Sequence, residues 1–120
     1  MAISAIGAPS YATFDAFKRA YGSAGEGMAW HHIVEQTTNN IQKFGFEAVH
    51  NTRNIVKIAH GAGELHRKIS GYYSSIQDFT NDQTVRAWLQ TKDWAFQYNY
   101  GLKVLAKFAR EFGAKIEFVR

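Results

Sequence analysis

The chain has 120 residues, the length of one ordinary domain, and with 46% apolar residues it can bury a hydrophobic core, which excludes disorder throughout. It has no cysteine, so disulfides, thiolate nucleophiles and cysteine-ligated zinc are excluded, and His, Asp and Glu remain as the strong metal ligands. Fourteen Lys and Arg against ten Asp and Glu give a net charge of +4, which favours polyanionic partners through counterion release.

No apolar stretch approaches the roughly 20 residues that span a bilayer. Met1 to Ala20 also lacks the charged start and apolar middle of a secretory signal, so the chain reads as soluble, with any export supplied from outside it. Ala2 to Ser10 is small and polar apart from two isoleucines, so residues 1–10 read as a flexible tail or linker stub, with a single domain over residues 11–120. Phe14, Phe17 and Tyr21 recur at helical spacing and predict a short amphipathic helix that stops in the glycine-rich stretch Gly22 to Gly27.

Ala29 to Val34 is aromatic and β-branched enough for a strand, and the polar Glu35 to Gln42 is a short helix or a loop. Asn54 to Ala59 predicts a second strand, closed by His60-Gly61. Ala62 to Ser75 reads as a helix with Leu65, Ile69, Tyr72 and Ile76 on one face. A capping box at Thr80 and Gln83 opens another helix that carries Val85, Trp88 and Leu89. The longest helix runs from about Asp93 to Phe112, with Phe96, Tyr100, Val104 and Phe108 at steps of four. Gly113 ends it, and Lys115 to Arg120 alternates like a terminal strand. The expected class is α+β.

The order of parts carries chemistry: a strand ending in His31-His32, a loop, a strand containing Asn54, and a helix bearing His66. Side chains alternate along a strand, so adjacent His31 and His32 divide the work. One imidazole binds a cation through its lone pair while the other takes a proton from water. A second ligand has to come from the helix, and His66, one residue past Leu65, lies at the edge of the buried helical face.

Trp30-His31-His32-Ile33-Val34-Glu35, then Asn54-Ile55-Val56, then His66-Arg67 resembles the motif of HNH (His-Me finger) endonucleases. The form is that of colicin-type DNases and of the C-terminal toxin modules of bacterial polymorphic toxins, and the likeness spans Ala29 to Tyr73. It implies a ββα-metal core with flanking helices and one divalent metal ion, magnesium, nickel or zinc. His31 and His66 would be metal ligands, His32 the general base, and Asn54 the side chain that ties the two-strand loop together. It also implies a DNA substrate, with RNA open, and a toxin role at the tip of a larger effector that lies N-terminal to this domain. The module would be delivered into the cytoplasm of a target cell, and a cognate immunity protein, acidic to match this basic chain, would protect the producer. Unlike the colicin type, no further histidine follows soon after His66, so a third imidazole would have to be His60 or be replaced by water.

Arg53, Lys57, Arg67 and Lys68 are the residues expected to hold backbone phosphates. His50 and His60 are read as surface or core histidines without an assigned role, and Glu35 as a solvated carboxylate or an orienting partner for a histidine. Trp30, Trp88 and Trp94 read as core residues rather than base-stacking platforms. The alternative to an enzyme is a nucleic-acid-binding module that keeps the ββα shape without cleaving.

Overall fold

A computed structural model of the chain describes residues 8–119. Three strands, β1 (Ala29–His32), β2 (Ile55–His60) and β3 (Lys115–Phe118), form one antiparallel sheet in the order β1-β2-β3. Among the described residues six α-helices accompany it: α1 (Phe14–Tyr21), α2 (Thr38–Phe44), α3 (Phe46–Val49), α4 (Ala62–Tyr73), α5 (Val85–Leu89) and α6 (Trp94–Phe112). The fold is therefore α+β, with β1, β2 and α4 consecutive in the chain apart from the helical excursion before β2.

Register sorts the side chains of the sheet. His31 faces Val56 across the ladder and Ala29 faces Ile58, whereas Trp30 faces Lys57 and His32 faces Ile55. Successive side chains point to opposite faces. Val56 and Ile58 enter the main core with Leu65 and Ile69 of α4 and Val104, Leu105 and Phe108 of α6. The other face is closed by α1, whose fully buried Phe17 meets the Trp30 ring edge-on at 5.0 Å. A second small core of Val34, Val49 and Trp94 seats α3 against the start of α6.

Four of the helix starts and the end of α6 have a local cause. Thr13, Thr37, Thr84 and Asp93 accept hydrogen bonds from the third residue beyond them and cap α1, α2, α5 and α6. Gly113 ends α6 in the left-handed region at φ 64°, where a side chain is disfavoured. The expected capping box at Thr80 does not start a helix. Its hydroxyl donates to the carbonyls of Gln77 and Gln83 and accepts from Gln77 N, which closes a turn, and Thr84 takes the cap four residues later.

Other boundaries move by similar amounts. The first strand stops at His32, two residues short of Val34, and Asn54 closes a 3-10 turn (Thr52–Asn54) instead of opening β2. α4 ends at Tyr73, so Tyr73 takes the buried place expected of Tyr72, while Ile76 lies beyond the helix and is exposed. Phe96, expected in the α6 stripe, is exposed, and Gln97 and Gly101 are buried in its stead. Of the expected tail, residues 1–7 lie outside the described residues. Ala8, Pro9 and Ser10 meet the turn before β2, where Asn51 Nδ2 donates to Ala8 O and Ser10 Oγ, and Thr52 N donates to Pro9 O. Arg120, at the end of the expected last strand, is likewise outside.

α6 crosses the end of β1 at Gly101, where an added Cβ would sit 2.5 Å from the carbonyl oxygen of Ile33 and 3.1 Å from its Cγ2. Glycine to alanine inside a helix ordinarily gains about 1 kcal/mol. Here a backbone atom blocks the methyl, so Gly101→Ala is expected to lose about 1–3 kcal/mol of stability through overpacking. Urea denaturation reads it; a midpoint equal to or above that of the parent chain would show that α6 moves aside freely.

Candidate active site

The site is built where β1 runs out. Asn54 is fully buried at the neck between the two strands. Its Oδ1 accepts from Val34 N at 2.8 Å, and its Nδ2 donates to Val34 O at 3.0 Å and Val49 O at 2.9 Å. With Ile33 N donating to Asn54 O at 2.8 Å, the segment after His32 is bound on both sides to the residue that precedes β2. One amide thus replaces the ladder that ends at His32.

His31 projects from the face of β1 covered by α4. There the helix presents His66 from the edge of its buried stripe, and the two imidazole centres are 5.5 Å apart with ring planes at 40°. Neither ring makes a hydrogen bond to any of the described residues. Burial, and then the neighbouring His66, lowers the pKa of His31 to about 4, and burial lowers that of His66 as well. Both rings are therefore neutral at pH 7, with lone pairs available to a ligand.

His32 projects from the other face and meets different groups. Its Nε2 lies 3.1 Å from Nδ1 of His50, and Phe14 of α1 packs edge-on against its ring at 4.8 Å. His50, which caps the C-terminus of α3, lies nearly parallel to the rings of Phe14 and Phe46. Burial, then His50 and His31, brings the pKa of His32 down to about 3. Nδ1 of His32 has no hydrogen-bond partner among the described residues, and no buried side-chain nitrogen there is left unpaired. The 7% of His32 that remains exposed therefore includes Nδ1.

Glu35 does not orient a histidine, nor is it a freely solvated carboxylate. Its Oε2 takes Arg86 Nε at 3.0 Å, and Arg86 Nη1 donates to Ser74 Oγ. Burial raises the Glu35 pKa against the opposing pull of Arg86.

The other sequence-derived residues are dispersed. His60 is exposed, four residues along β2 from Val56, which is about 13 Å of extended chain. It does not complete the His31 and His66 pair, and no three His, Asp or Glu side chains converge on one point among the described residues. Lys57 lies over the Trp30 ring at 5.1 Å, on the sheet face opposite His31. Lys68 lies over Phe108 at 5.6 Å and lines a groove of about 560 Å³ between α4 and α6. Two residues after His66, it is carried to the other edge of the helix by a turn of about 100° per residue. Arg67 pairs with Glu64 at 3.3 Å, and Arg53 is exposed in the 3-10 turn, where its carbonyl accepts from Tyr98 Oη. Lys57 and Lys68 thus stand away from the histidine pair.

No family model, curated protein or solved structure matches this chain. The geometry alone therefore ranks the residues. It brings His31 and His66 together, puts Asn54 at the neck, and adds His50, to which sequence reading gave no role. The signal for His50 was its place at the head of His50-Asn51-Thr52-Arg53-Asn54, the run that feeds the neck. Trp30 donates to Gly22 O, Trp94 packs on Phe44, and Trp88 is held among Phe79, Phe96 and Tyr100, so all three tryptophans pack against protein groups. Among the described residues no helix is long and apolar enough to cross a membrane.

Proposed function

We propose that the protein is a divalent-metal-dependent endonuclease of the HNH type, with β1, β2 and α4 as its ββα-metal core. The observation that carries this reading is the facing of His31 and His66, two imidazoles without hydrogen-bond partners among the described residues. Imidazoles sharing one cation through metal–nitrogen bonds of about 2.0–2.1 Å have ring centres roughly 4.5–5.5 Å apart, and the 5.5 Å between His31 and His66 lies within that range. Two imidazoles suit nickel or zinc better than magnesium, and would leave the remaining positions of a bound ion to water and phosphate oxygens. A bound cation supplies charge stabilisation at the phosphoryl and leaving oxygens.

Among the described residues β1 is an edge strand, and His31 and His32 are consecutive at its open end. A phosphodiester lying along that edge meets one imidazole from each face. His32 takes a proton from water as the water oxygen bonds to phosphorus, the bond from phosphorus to the 3′ oxygen breaks, and that oxygen takes a proton from solvent. Asn54 holds the strand end that carries both histidines. DNA is the preferred substrate on the resemblance, which is also the sole support for the toxin role, the N-terminal carrier, delivery to a target cell and an immunity protein.

Plasmid DNA incubated with the protein and magnesium, nickel or zinc is expected to be nicked, and chelator to stop it. His31→Ala and His66→Ala are expected to weaken metal binding, read by calorimetry, and to cut nicking about a hundredfold or more. His32→Ala is expected to abolish nicking while metal still binds. Retardation of DNA without nicking under all metals would replace the enzyme with the binding-module reading.

A further inference from the structure

Nothing in the nuclease pattern accounts for His50. It is buried, it lies between α3 and the turn that ends at Asn54, and its Nδ1 is 3.1 Å from Nε2 of His32. Two neutral imidazoles at that distance share one proton between them, so one nitrogen donates and the other accepts. The direction decides what His32 can do. If His50 donated, His32 would carry its own proton on Nδ1 and have no free lone pair. If His32 donates from Nε2, its Nδ1 keeps a lone pair, and Nδ1 is the nitrogen at the exposed part of the ring.

We infer that His50 is a positioning residue that accepts the Nε2 proton of His32 and so fixes Nδ1 as the atom that takes the proton from water. The inference rests on the reading of His32 as general base. The logic is that of a base oriented by a third group, with a neutral imidazole in the place that a carboxylate often holds. When Nδ1 takes the proton from the attacking water, His32 becomes an imidazolium and its Nε2–H bond to His50 strengthens. The rings of Phe14 and Phe46, nearly parallel to His50, hold the acceptor in line. His50 acts through His32 alone and touches neither the cation nor the phosphate.

Two measurements test this. Nitrogen-15 NMR of the metal-free chain at neutral pH is expected to show His32 protonated on Nε2 and bare on Nδ1, with His50 protonated on its own Nε2. In the nicking assay His50→Ala is expected to lower kcat about tenfold to a hundredfold with KM within about twofold, because the substrate contacts are untouched. His50→Asn, whose amide oxygen reaches the place of Nδ1, is expected to restore kcat to within about threefold of the parent. Should His50→Ala fail to fold, His50→Phe fills the slot beside Phe14 and removes only the acceptor, with the same loss of kcat expected. A His32 proton on Nδ1, full kcat in the alanine or phenylalanine variant, or no rescue by asparagine overturns this inference and leaves the nuclease standing. A parent chain that nicks no DNA overturns both.

Discussion

Asn54→Ala is expected to cost about 3–5 kcal/mol of folding stability, the largest loss from any single side-chain truncation around the site. The asparagine is fully buried and serves three backbone groups, Val34 N, Val34 O and Val49 O. Alanine strands all three, and an unpaired buried polar group costs about 1–3 kcal/mol. The isosteric Asn54→Asp separates hydrogen bonding from shape. It keeps an acceptor for Val34 N but sets an oxygen against the two carbonyls, so it too is expected to lose stability and to be worse at neutral pH than in mild acid. Urea denaturation reads both variants. A loss below about 1 kcal/mol for alanine would mean that water or a shifted backbone replaces the amide, and that Asn54 does not hold the strand end. Nicking should fall in parallel under conditions where the variant is still folded, because His31 and His32 stand on the strand that the amide secures.

The parts of this site that were legible in the sequence are those whose chemistry is local. The role of Asn54 came from the resemblance, which implied a side chain tying the two-strand loop together, and its amide does bind unpaired backbone there. His66 was readable because Leu65 and Ile69 mark the buried stripe of α4, and helical spacing then fixes which edge the next residue takes. The same rule places Lys68. Two residues further on, it belongs to the edge that faces α6, and sequence proximity to His66 does not bring it to the pair.

What was hidden depends on contacts distant in the chain. α3 has four residues, too few to form by propensity, and stands because Val49 packs on Val34 and Trp94. Its C-terminus is what delivers His50 to His32, so His50 could not be ranked without that packing. Glu35 meets Arg86 across 51 positions. Phe96 faces outward because α6 turns Trp94, Gln97 and Gly101 inward to fit the close crossing at Ile33, which the period of four in its aromatics does not encode. The histidine order thus identified one pair, and the fold supplied the second.

The two pairs also set how the metal-free protein responds to acid. In the unfolded chain His31 and His32 take protons near their ordinary value of 6.5, whereas in the folded chain burial delays them to about 4 and about 3. Between those limits the unfolded state binds more protons, so stability rises with pH there; it is fully present above pH 6.5 and is lost as pH falls toward 3. His50 and His66, also depressed by burial, act in the same direction. Glu35, raised by burial, acts in the opposite direction around the ordinary carboxylate range. The two depressions act together, so acid is expected to remove a large part of the roughly 5–15 kcal/mol by which a small domain is stable. Thermal unfolding with chelator at pH 7.5, 6, 5 and 4 is expected to show a steep fall of Tm across the series, and His32→Gln to flatten it, since glutamine takes up no proton on unfolding. A Tm that stays level from pH 7.5 to 4 would mean that the imidazoles already titrate freely in the folded chain, and with that the buried, neutral character on which both histidine pairs depend would be lost.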